Sequence, residues 1–439
     1  MKNKLIINII LANLLWSFIP IVVSGLFLEV SIIMVIFLRF LVSGFTLLVL
    51  AVLLILINNK LTQNKSISLK FLFSNLFHKN RRFFDRRNIS YYTYLGFFGI
   101  ILHIIFFFLT LKKTSITFTM VGFLLSIIFI AFYEKGVNFE KFDIFKTLYI
   151  VILFFSIVLL IYVGSVGASL NGTPIMLNGI IYLLIFSITI SFLYISINRD
   201  AYSKEEVNQI NMNKYYKVPR FLIKMAFSFL IGIICMIPFA LIIYIIPIET
   251  DLTYEVSRFF EQFSNLFVIL GRWEIIFLII FSTITPYLLV FIANVNWKPE
   301  SLTYSQWSSI LNLIDPLGSI IFSVIFVNEY FPLVLLIIVI FLIITTVILR
   351  YSHEVKNLVQ AVLLLKIKKG SMNKIALRVF KYYGVTSTYA LIGTNDLLLN
   401  VKISSIKDFY DLVNLRLKPL TDIQDIKILF TNQIEKIST

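Results

Sequence analysis

Long apolar segments recur along the chain from about residue 5 to about residue 349, with short polar connections between them. A helix needs about 20 consecutive apolar residues to cross the hydrocarbon core of a bilayer. The pattern therefore predicts ten membrane-spanning helices, at about residues 5–27, 30–57, 92–111, 115–133, 147–164, 177–197, 221–247, 273–295, 303–327 and 331–349. No A-x-A cleavage site follows the first segment, so we interpret it as a helix and not as a signal peptide.

The pattern changes after Ala361, where short apolar stretches with strand-like alternation flank two amphipathic segments. It predicts, in order, a strand at 362–367, a helix at 372–382, a strand at 386–392, a turn at 393–396, a strand at 397–403, a helix at 405–417 and a strand at 426–431. This βαββαβ order is typical of an α+β ferredoxin-like domain. We therefore divide the chain into an all-α membrane domain, residues 1–353, and a soluble domain, residues 357–439.

Composition agrees with a membrane protein, because 59% of the residues are hydrophobic and only 14% are charged. This composition excludes a wholly water-soluble fold. The net charge of +16 could indicate nucleic-acid binding, but basic residues beside apolar spans more often face anionic lipid. The soluble domain contains no basic reading helix, so we expect no nucleic-acid partner. The single cysteine, Cys235, lies in an apolar span and offers neither a disulfide nor a thiol metal site.

Successive connections between the spans lie on alternate sides of the membrane. Most of their Lys and Arg residues then lie on the same side as the N-terminus. The segments on the other side contain only Lys112, Lys113, Arg258 and Arg272. Because positive charge accumulates in cytoplasmic segments, we expect a multi-pass protein of the cytoplasmic membrane of the cell with both termini in the cytoplasm.

Ten spans divide into two sets of five, at about 1–165 and 175–352. An odd number of spans per set means that the two sets enter the membrane from opposite sides, which predicts inverted repeats. Ile127 and Pro316 each lie thirteen residues before a glutamate, Glu140 and Glu329. A coincidence of short motifs is the alternative explanation of this spacing.

Two connections have the pattern of surface helices. In the first, Leu69, Leu72, Phe73, Leu76 and Phe77 form an apolar face near Lys70, Lys79, Arg81 and Arg82, which is typical of a basic helix lying on the inner leaflet. In the second, the aromatic stripe consists of Phe259, Phe260, Phe263 and Phe267. This stripe either covers the outer mouth of the protein or rests on lipid.

Two charged residues are predicted near the middle of the membrane. Arg39 lies ~13 Å and Asp315 ~18 Å into their predicted helices, at 1.5 Å per residue. A charge at that depth costs at least ~2.5 kcal/mol on insertion scales, so each side chain should face the protein interior or water. One interpretation is that Arg39 holds an anion and Asp315 binds a cation or a proton. The other is structural: the two residues pair with each other, or Arg39 holds helix carbonyls.

Further polar residues in the spans are candidates for a substrate or ion pathway. His103 could relay protons, although a single histidine among Ile and Phe is more often a hydrogen-bonded packing residue. The other candidates are either pocket-lining residues or contacts between helices: Trp16, Thr283, Tyr287, Asn294 and Asn312. Pro286 and Pro316 remove backbone donors within helices, so they free carbonyl groups that can meet a substrate.

Several motifs in residues 5–349 resemble the drug/metabolite transporter superfamily, specifically its ten-helix EamA type. The matching stretches are Leu15-Trp16-Ser17, Leu38-Arg39-Phe40, Leu109 to Ser115, Ser282 to Tyr287, and Asp315-Pro316 with Glu329 after it. The chain departs from the family pattern at Ser126-Ile127, where Ser-Pro is usual, and at Glu134-Lys135, where the fourth helix is expected to end early. Asn294 and Asn296 also replace residues that are usually apolar or alanine.

The soluble domain resembles the effector-binding domain of the Lrp/AsnC regulators over about residues 359–435. Gly393 and Asp396, in a G-x-x-D turn before a "DLLLNV" stretch, carry this resemblance. It implies a domain that forms homodimers and that, in some members, binds amino acids at the dimer interface, with Gly393 and Asp396 as the candidate effector-binding residues.

Together these observations predict a secondary transporter or exporter of a small polar metabolite, with amino acids as a candidate class, and a cytosolic regulatory domain. No G-x-x-x-x-G-K-[ST] motif is present, so transport would be driven by gradients or occur as facilitated flow. No nucleophile–base pair or cluster of metal ligands suggests an enzyme, a metal or a cofactor. The alternatives are a receptor that uses a transporter fold without transport, and a transporter whose soluble domain is a passive dimer clamp.

Overall fold

The computed structural model describes residues 2–61, 67–76, 89–138, 143–170, 177–197, 204–246, 249–297, 302, 304–356, 359–368, 370–380, 382, 384–403 and 406–430. Within these ranges lie ten helices that are long and apolar enough to cross a membrane, which we number 1 to 10: Lys4–Leu26, Ile32–Lys60, Tyr91–Lys113, Ile116–Tyr133, Ile144–Gly167, Leu177–Ile195, Lys217–Ile245, Trp273–Asn296, Tyr304–Phe326 and Leu333–Val355. The ten predicted spans are confirmed.

Four of these helices are interrupted. Helix 1 consists of Lys2–Ser17 and Ile19–Leu26, and helix 9 of Tyr304–Leu311 and Ile314–Phe326. Helices 3 and 8 contain π-helical turns: Ile89–Thr93, Tyr94–Leu102 (π) and His103–Lys113 form helix 3, and Trp273–Ile279, Ile280–Ile284 (π) and Thr285–Asn296 form helix 8. Pro20, Pro286 and Pro316 lie within or just after three of these irregularities, where a missing N–H prevents a regular turn.

The other six helices are continuous: Ile32–Leu61, Ile116–Asn138, Ile144–Leu170, Leu177–Ile197, Lys217–Ile245 and Leu333–Lys356. Helix 4 therefore runs through Glu134 and Lys135, and the expectation that it ends early is wrong. Two charged residues near a helix end do not break an α-helix, because both have good helix propensity. Glu140, on which the repeat spacing depends, lies outside the described residues.

Short helices connect the spans: Leu69–Leu76, Lys204–Met212, Lys214–Tyr216 (3₁₀), Asp251–Glu261, Gln262–Asn265 (3₁₀) and Leu266–Leu270. Part of the apolar face of Leu69–Leu76 packs on the protein, because Leu72 is fully buried and Phe73 lies against Phe227, with ring centroids 5.7 Å apart. The prediction of a surface helix requires this face to contact lipid. Its packing on the protein leaves it only partly available for that contact. Phe77, Lys79, Arg81 and Arg82 lie outside the described residues.

The spans pack in a recurring set of pairs. Helix 2 packs along helix 7 and helix 5 along helix 10, while helix 1 packs on helix 8 and helix 6 on helix 3. Helix 4 contacts helices 6 and 9, and helix 9 contacts helix 1. We call the side of this bundle where helix 10 ends the tail side. The opposite side, which carries helix Asp251–Glu261, is the far side.

Residues 359–430 contain a four-stranded antiparallel sheet, formed by β1 (Val359–Ile367), β2 (Val385–Ala390), β3 (Leu397–Ile403) and β4 (Ile423–Phe430). The strand order is β2-β3-β1-β4, with Leu363 of β1 paired to Leu399 and Ile428. Helix Met372–Val379 and the helical segments Ile406–Asp411 and Leu412–Leu417 (π) supply apolar residues such as Val379 and Val413 to the same core as alternate residues of β1 and β3. The predicted antiparallel strands are confirmed.

Helices 3 and 7 approach each other closely at Gly96 and Gly232. A Cβ atom on Gly96 would lie 2.1 Å from the carbonyl oxygen of Ser228, and one on Gly232 would lie 2.7 Å from that of Gly96. These distances are too short for any side chain, because the opposing atoms are backbone. Helices 3 and 7 therefore require glycine at these positions, as membrane helices in close contact commonly do.

We expect Gly96→Ala to destabilise the membrane domain by at least about 1–3 kcal/mol, the usual cost of overpacking. The matched control is Gly25→Ala, because Gly25 is also helical but a Cβ atom there would meet nothing within 4 Å. Thermal unfolding of the purified proteins in detergent measures the difference. Equal melting temperatures for the two variants would contradict the proposed role of this contact.

Candidate functional site: a polar cavity between the helices

A cavity of about 540 Å³ lies within the bundle. The first five helices contribute the predicted residues Trp16, Arg39 and His103 to its lining. Helices 8 and 9 contribute Tyr287, Asn294, Asn312, Asp315 and Pro316. The cavity extends from the level of Arg39 to the tail-side ends of helices 9 and 10, where it is lined by Gln306 and Glu354.

Arg39 is buried, with 2% of its surface exposed, and it is held by helix 8. Its Nε donates to Thr283 Oγ1 at 2.7 Å, and its Nη2 donates to the Ser282 carbonyl oxygen at 3.0 Å. The residue four positions after Ser282 is Pro286, which has no N–H, so this carbonyl cannot form the usual helical hydrogen bond. The proline thus frees the acceptor that positions Arg39.

Of the residues predicted for the substrate or ion pathway, Thr283 is the one that does not line the cavity. Its hydroxyl donates to the Leu278 carbonyl, five residues earlier, and accepts from Arg39. The π-helical turn Ile280–Ile284 gives rise to this spacing. π-Turns within helices are frequent at functional sites. Thr283 therefore positions Arg39 and does not face the cavity.

The third nitrogen of the Arg39 guanidinium is not used in the same way. Arg39 Nη1 is buried and has no hydrogen-bond partner among the described residues. Arg39 and Asp315 form no ion pair in the part of the chain that the structure describes. Of the structural interpretations, pairing with Asp315 is therefore absent from this structure, whereas contact with a helix carbonyl is present. A charged donor lining the cavity remains available to a ligand.

His103 follows the π-helical segment Tyr94–Leu102 and lines the cavity next to Phe186, 6.4 Å away between ring centroids. Its Nδ1 is hydrogen-bonded to the Gly99 carbonyl oxygen. Because a carbonyl only accepts, Nδ1 carries the proton, and Nε2 is the acceptor in the neutral ring. The structural use of Nδ1 agrees with a packing role, while a proton relay would have to act through Nε2.

Asp315 lies just after the break in helix 9 and is 8% exposed. Ser319, one turn later in the same helix, donates to the Ser17 carbonyl of helix 1 at 3.2 Å. Pro316 has no N–H to donate to Asn312, four residues earlier. Helix 9 thus presents a carboxylate and an irregular backbone to the cavity.

Aromatic rings form much of the remaining wall. Tyr287 packs edge-on against Trp16, with ring centroids 5.8 Å apart, and against Phe229 at 5.6 Å. Tyr287 also lies close enough to Arg39 for electrostatic interaction. Asn294 is in the last turns of helix 8, closer to the tail side. The cavity therefore combines isolated charges with an aromatic surface.

Several lining residues are absent from the sequence-based candidates: Tyr194, Lys224, Gln306, Ser309, Arg350 and Glu354. Lys224 lies within a predicted span, so the rule for charges in membranes could have found it. Its Nζ lies 5.7 Å from the centroid of the Tyr91 ring. Arg350 donates to Ser309 Oγ, and Gln306 donates to Glu354 at 2.8 Å. These contacts join helices 9 and 10 at the tail side.

The far side is closed by helix Asp251–Glu261. Glu255 is 1% exposed and its Oε2 accepts from the Ile32 N–H at 2.7 Å, at the start of helix 2, where a negative charge is favoured. Its Oε1 accepts from Lys112 Nζ at 2.5 Å, and its carbonyl accepts from Ser31 Oγ at 2.6 Å. One glutamate thus connects helix Asp251–Glu261 to helices 2 and 3.

Further contacts reinforce the closure. Gln262 accepts from the Ser31 N–H at 2.9 Å and donates to the Glu29 carbonyl at 2.8 Å. Arg272 pairs with Glu29 at 2.5 Å, and hydrogen bonds to Glu274 and then Glu29 raise the pKa of Arg272. The Arg272 guanidinium therefore stays charged, and it joins Glu29 to the start of helix 8.

The aromatic stripe begins in helix Asp251–Glu261 and continues after it. Its two parts differ in which of the predicted roles they fit, a cover over the protein or a contact with lipid. Phe259 is buried and packs against Phe37 of helix 2, 5.6 Å between ring centroids. Phe263 is 51% and Phe267 84% exposed. The first part of the stripe thus covers the bundle, and the second part has the exposure expected of a lipid contact.

In the soluble domain, Asp396 holds the β2–β3 turn onto β1. Its Oδ2 accepts from the Ile367 N–H at 2.6 Å, and its own N–H donates to the Leu365 carbonyl at 2.9 Å. Gly393 has φ of 148°, which suits glycine, and a Cβ atom there would meet nothing within 4 Å. The structure thus gives Asp396 a structural contact at the predicted effector site.

Residues 3–162 match the EamA-like transporter family. The matched region covers helices 1 to 4 and most of helix 5, and it contains Trp16, Arg39 and His103. No curated protein matches the chain. The match supports the transporter resemblance for the first half, whereas Asp315, the broken helix 9 and the soluble domain lie outside the matched region.

We expect Glu255→Gln to open the far side, because the amide cannot retain the charge that holds Lys112. A cysteine at Val290, which lines the cavity, reports access when Cys235 is replaced by Ser. The labelling rate by an impermeant maleimide added to the far side of oriented vesicles should rise several-fold. Glu261→Gln, an exposed position in the same helix, is the control. Equal labelling rates in both variants would exclude Glu255 as a closing contact.

Proposed function

We propose that this protein is a secondary transporter of a small polar metabolite that carries a carboxylate, with amino acids as the leading class, and with a regulatory soluble domain. The observation that carries the proposal is the buried, unpartnered Nη1 of Arg39 in a cavity that reaches the tail side. The match of residues 3–162 to a family of transporters supports it.

The chemistry of Arg39 favours a carboxylate. Nε and one N–H of Nη2 are committed to helix 8, which leaves Nη1 and the second N–H of Nη2 at the end of the guanidinium. These two donors form the fork that binds a carboxylate with two parallel hydrogen bonds. A buried guanidinium without such a partner is costly, so a bound anion would stabilise the site.

The helix pairing supports two inverted repeats. Suppose that each helix of one half is exchanged for its counterpart in the other half, 1 for 6, 2 for 7 and so on. The 1–8 pair then becomes 6–3, and the 4–6 pair becomes 9–1. The 2–7, 4–9 and 5–10 pairs map onto themselves. The π-turns also correspond, because they lie in helices 3 and 8. Inverted repeats allow a bundle to open alternately to either side around one central site. In such a cycle the structure represents a state closed on the far side.

The strand order of the soluble domain supports a ferredoxin-like fold. The order β2-β3-β1-β4, antiparallel throughout, with a helix after β1 and another after β3, agrees with the split βαβ arrangement. An Lrp/AsnC-type dimer would then connect two transporters. Regulation by a ligand requires different affinities for two transporter states, whereas a passive clamp does not.

Transport by the purified protein in proteoliposomes tests the proposal, with labelled amino acids, hydroxy acids and dicarboxylates as substrates. Arg39→Lys should weaken the affinity for a carboxylate substrate at least about tenfold, because one charge-assisted hydrogen bond is worth about 1.5–3 kcal/mol. Arg378→Lys, an exposed arginine of the soluble domain, is the matched control. Specific binding without transport would favour the receptor alternative.

Deletion of residues 357–439 tests the soluble domain. If the domain regulates transport, the truncated protein should transport substrate but lose any response of its rate to cytosolic amino acids. Light scattering on the full chain and the truncated protein should show loss of the dimer. A lost dimer with an unchanged rate and substrate dependence would leave only the passive clamp.

A further inference from the structure

The cavity wall formed by helix 9 differs in chemistry from the wall that carries Arg39. The Arg39 wall presents hydrogen-bond donors, because a guanidinium cannot accept. The helix 9 wall presents the carboxylate of Asp315, which forms no ion pair within the described ranges. A solute that satisfies both walls must carry a negative and a positive group.

The backbone of helix 9 supplies a second acceptor beside Asp315. The helix is broken between Leu311 and Ile314, and the Asn312 N–H still donates to the Ser308 carbonyl at 3.0 Å. The Asn312 carbonyl lacks the usual helical hydrogen bond, because position 316 is proline and has no N–H. The regular pattern resumes one residue later, where the Leu317 N–H donates to the Leu313 carbonyl at 3.3 Å. No described residue donates a hydrogen bond to the Asn312 carbonyl.

We propose that the break in helix 9 is an ammonium subsite, in which the Asp315 carboxylate and the Asn312 carbonyl bind the ammonium group of a zwitterionic amino acid whose carboxylate binds Arg39. This inference rests on the proposed function and names its substrate class. The ammonium has three N–H donors for these acceptors, and the rings of Trp16 and Tyr287 line the same cavity, where they suit a cation near their faces or an apolar substituent.

The subsite predicts which solutes the cavity selects. An α-hydroxy acid keeps the carboxylate but replaces the ammonium with a neutral hydroxyl, and a simple carboxylic acid has neither. The preference should therefore run from amino acid to hydroxy acid to plain acid. Neither analogue offers Asp315 a positive partner, so both lose the ion pair that the ammonium group forms.

Matched ligands test this in the unaltered full-length protein. Binding of the twenty amino acids is measured by calorimetry in detergent, together with L-lactate and propionate as partners of L-alanine, and 3-phenyllactate and 3-phenylpropionate as partners of L-phenylalanine. Only binding that Arg39→Ala abolishes is assigned to the cavity, which separates it from binding by the soluble domain. We expect at least one amino acid to bind tenfold or more tightly than its hydroxy analogue.

Pro316→Ala tests the backbone acceptor, because alanine restores an N–H that can bond to the Asn312 carbonyl. We expect the affinity ratio of amino acid to hydroxy acid to fall at least fivefold, and Asp315→Asn to reduce the ratio further. Pro238→Ala is the control, since Pro238 lies inside helix 7, is exposed and does not line the cavity. The comparison of ligands in the unaltered protein stands if a variant fails to fold.

Three results would overturn the inference and leave the proposed function intact. One is equal affinity for the amino acid and its hydroxy analogue, and a second is transport of a carboxylate solute by a cavity that binds none of the twenty amino acids. An increase in hydroxy acid affinity with added Na⁺ would assign the helix 9 acceptors to an inorganic cation and would also overturn it. If no carboxylate of any kind is bound or transported, the proposed function itself fails.

Discussion

The structure depends on how a guanidinium is held within the membrane. A charge at this depth is tolerated only when protein groups replace water, and helix 8 supplies two such groups to Arg39. Both result from local irregularity: Pro286 frees the Ser282 carbonyl, and the π-turn places Thr283 beside it. This contact joins helix 2 of the first half to helix 8 of the second, so the position of the charge and the packing of the two halves are determined together.

The two halves do not contribute equally to the cavity. Helix 4 has Ile127 where the family pattern has proline, and it remains continuous, with Ser126 bonded to its own Phe123 carbonyl at 2.6 Å. Helix 9 keeps the acidic-proline pair and is broken. Helix 4 therefore supplies a regular, largely apolar wall, whereas its counterpart helix 9 supplies the carboxylate and an irregular backbone. In an inverted-repeat transporter this difference lets a single asymmetric solute bind in one orientation.

Hydropathy was sufficient for the ten spans, because each is a long local signal, and the rule for charges in membranes identified Arg39 and Asp315. The same rule applied to Lys224 would have added a lining residue. Arg350 was missed because hydropathy falls at that point although the helix continues to Lys356. The closing role of Glu255 could not be predicted, since its partner Ile32 is 223 residues away and meets it only through packing. In the soluble domain, alternation and turn residues predicted strand Leu397–Ile403 to the residue.

The chemistry of the far-side closure suits a contact that must open. An apolar seal of the same extent would separate only with exposure of hydrophobic surface to water, at about 25 cal/mol per Å². The contacts of Arg272 and Gln262 with Glu29 can instead be exchanged for hydrogen bonds to water, because these groups lie at or near the surface. Exposed ion pairs contribute little net free energy, so their loss is a small barrier between two states. Buried Glu255 is different, because a lost partner would leave a charge unpaired. The closure thus combines one strong contact, at Glu255, with several weak ones. To shift the population of the state closed on the far side, a solute bound at Arg39 would need to change the free energy of the Glu255 contact alone.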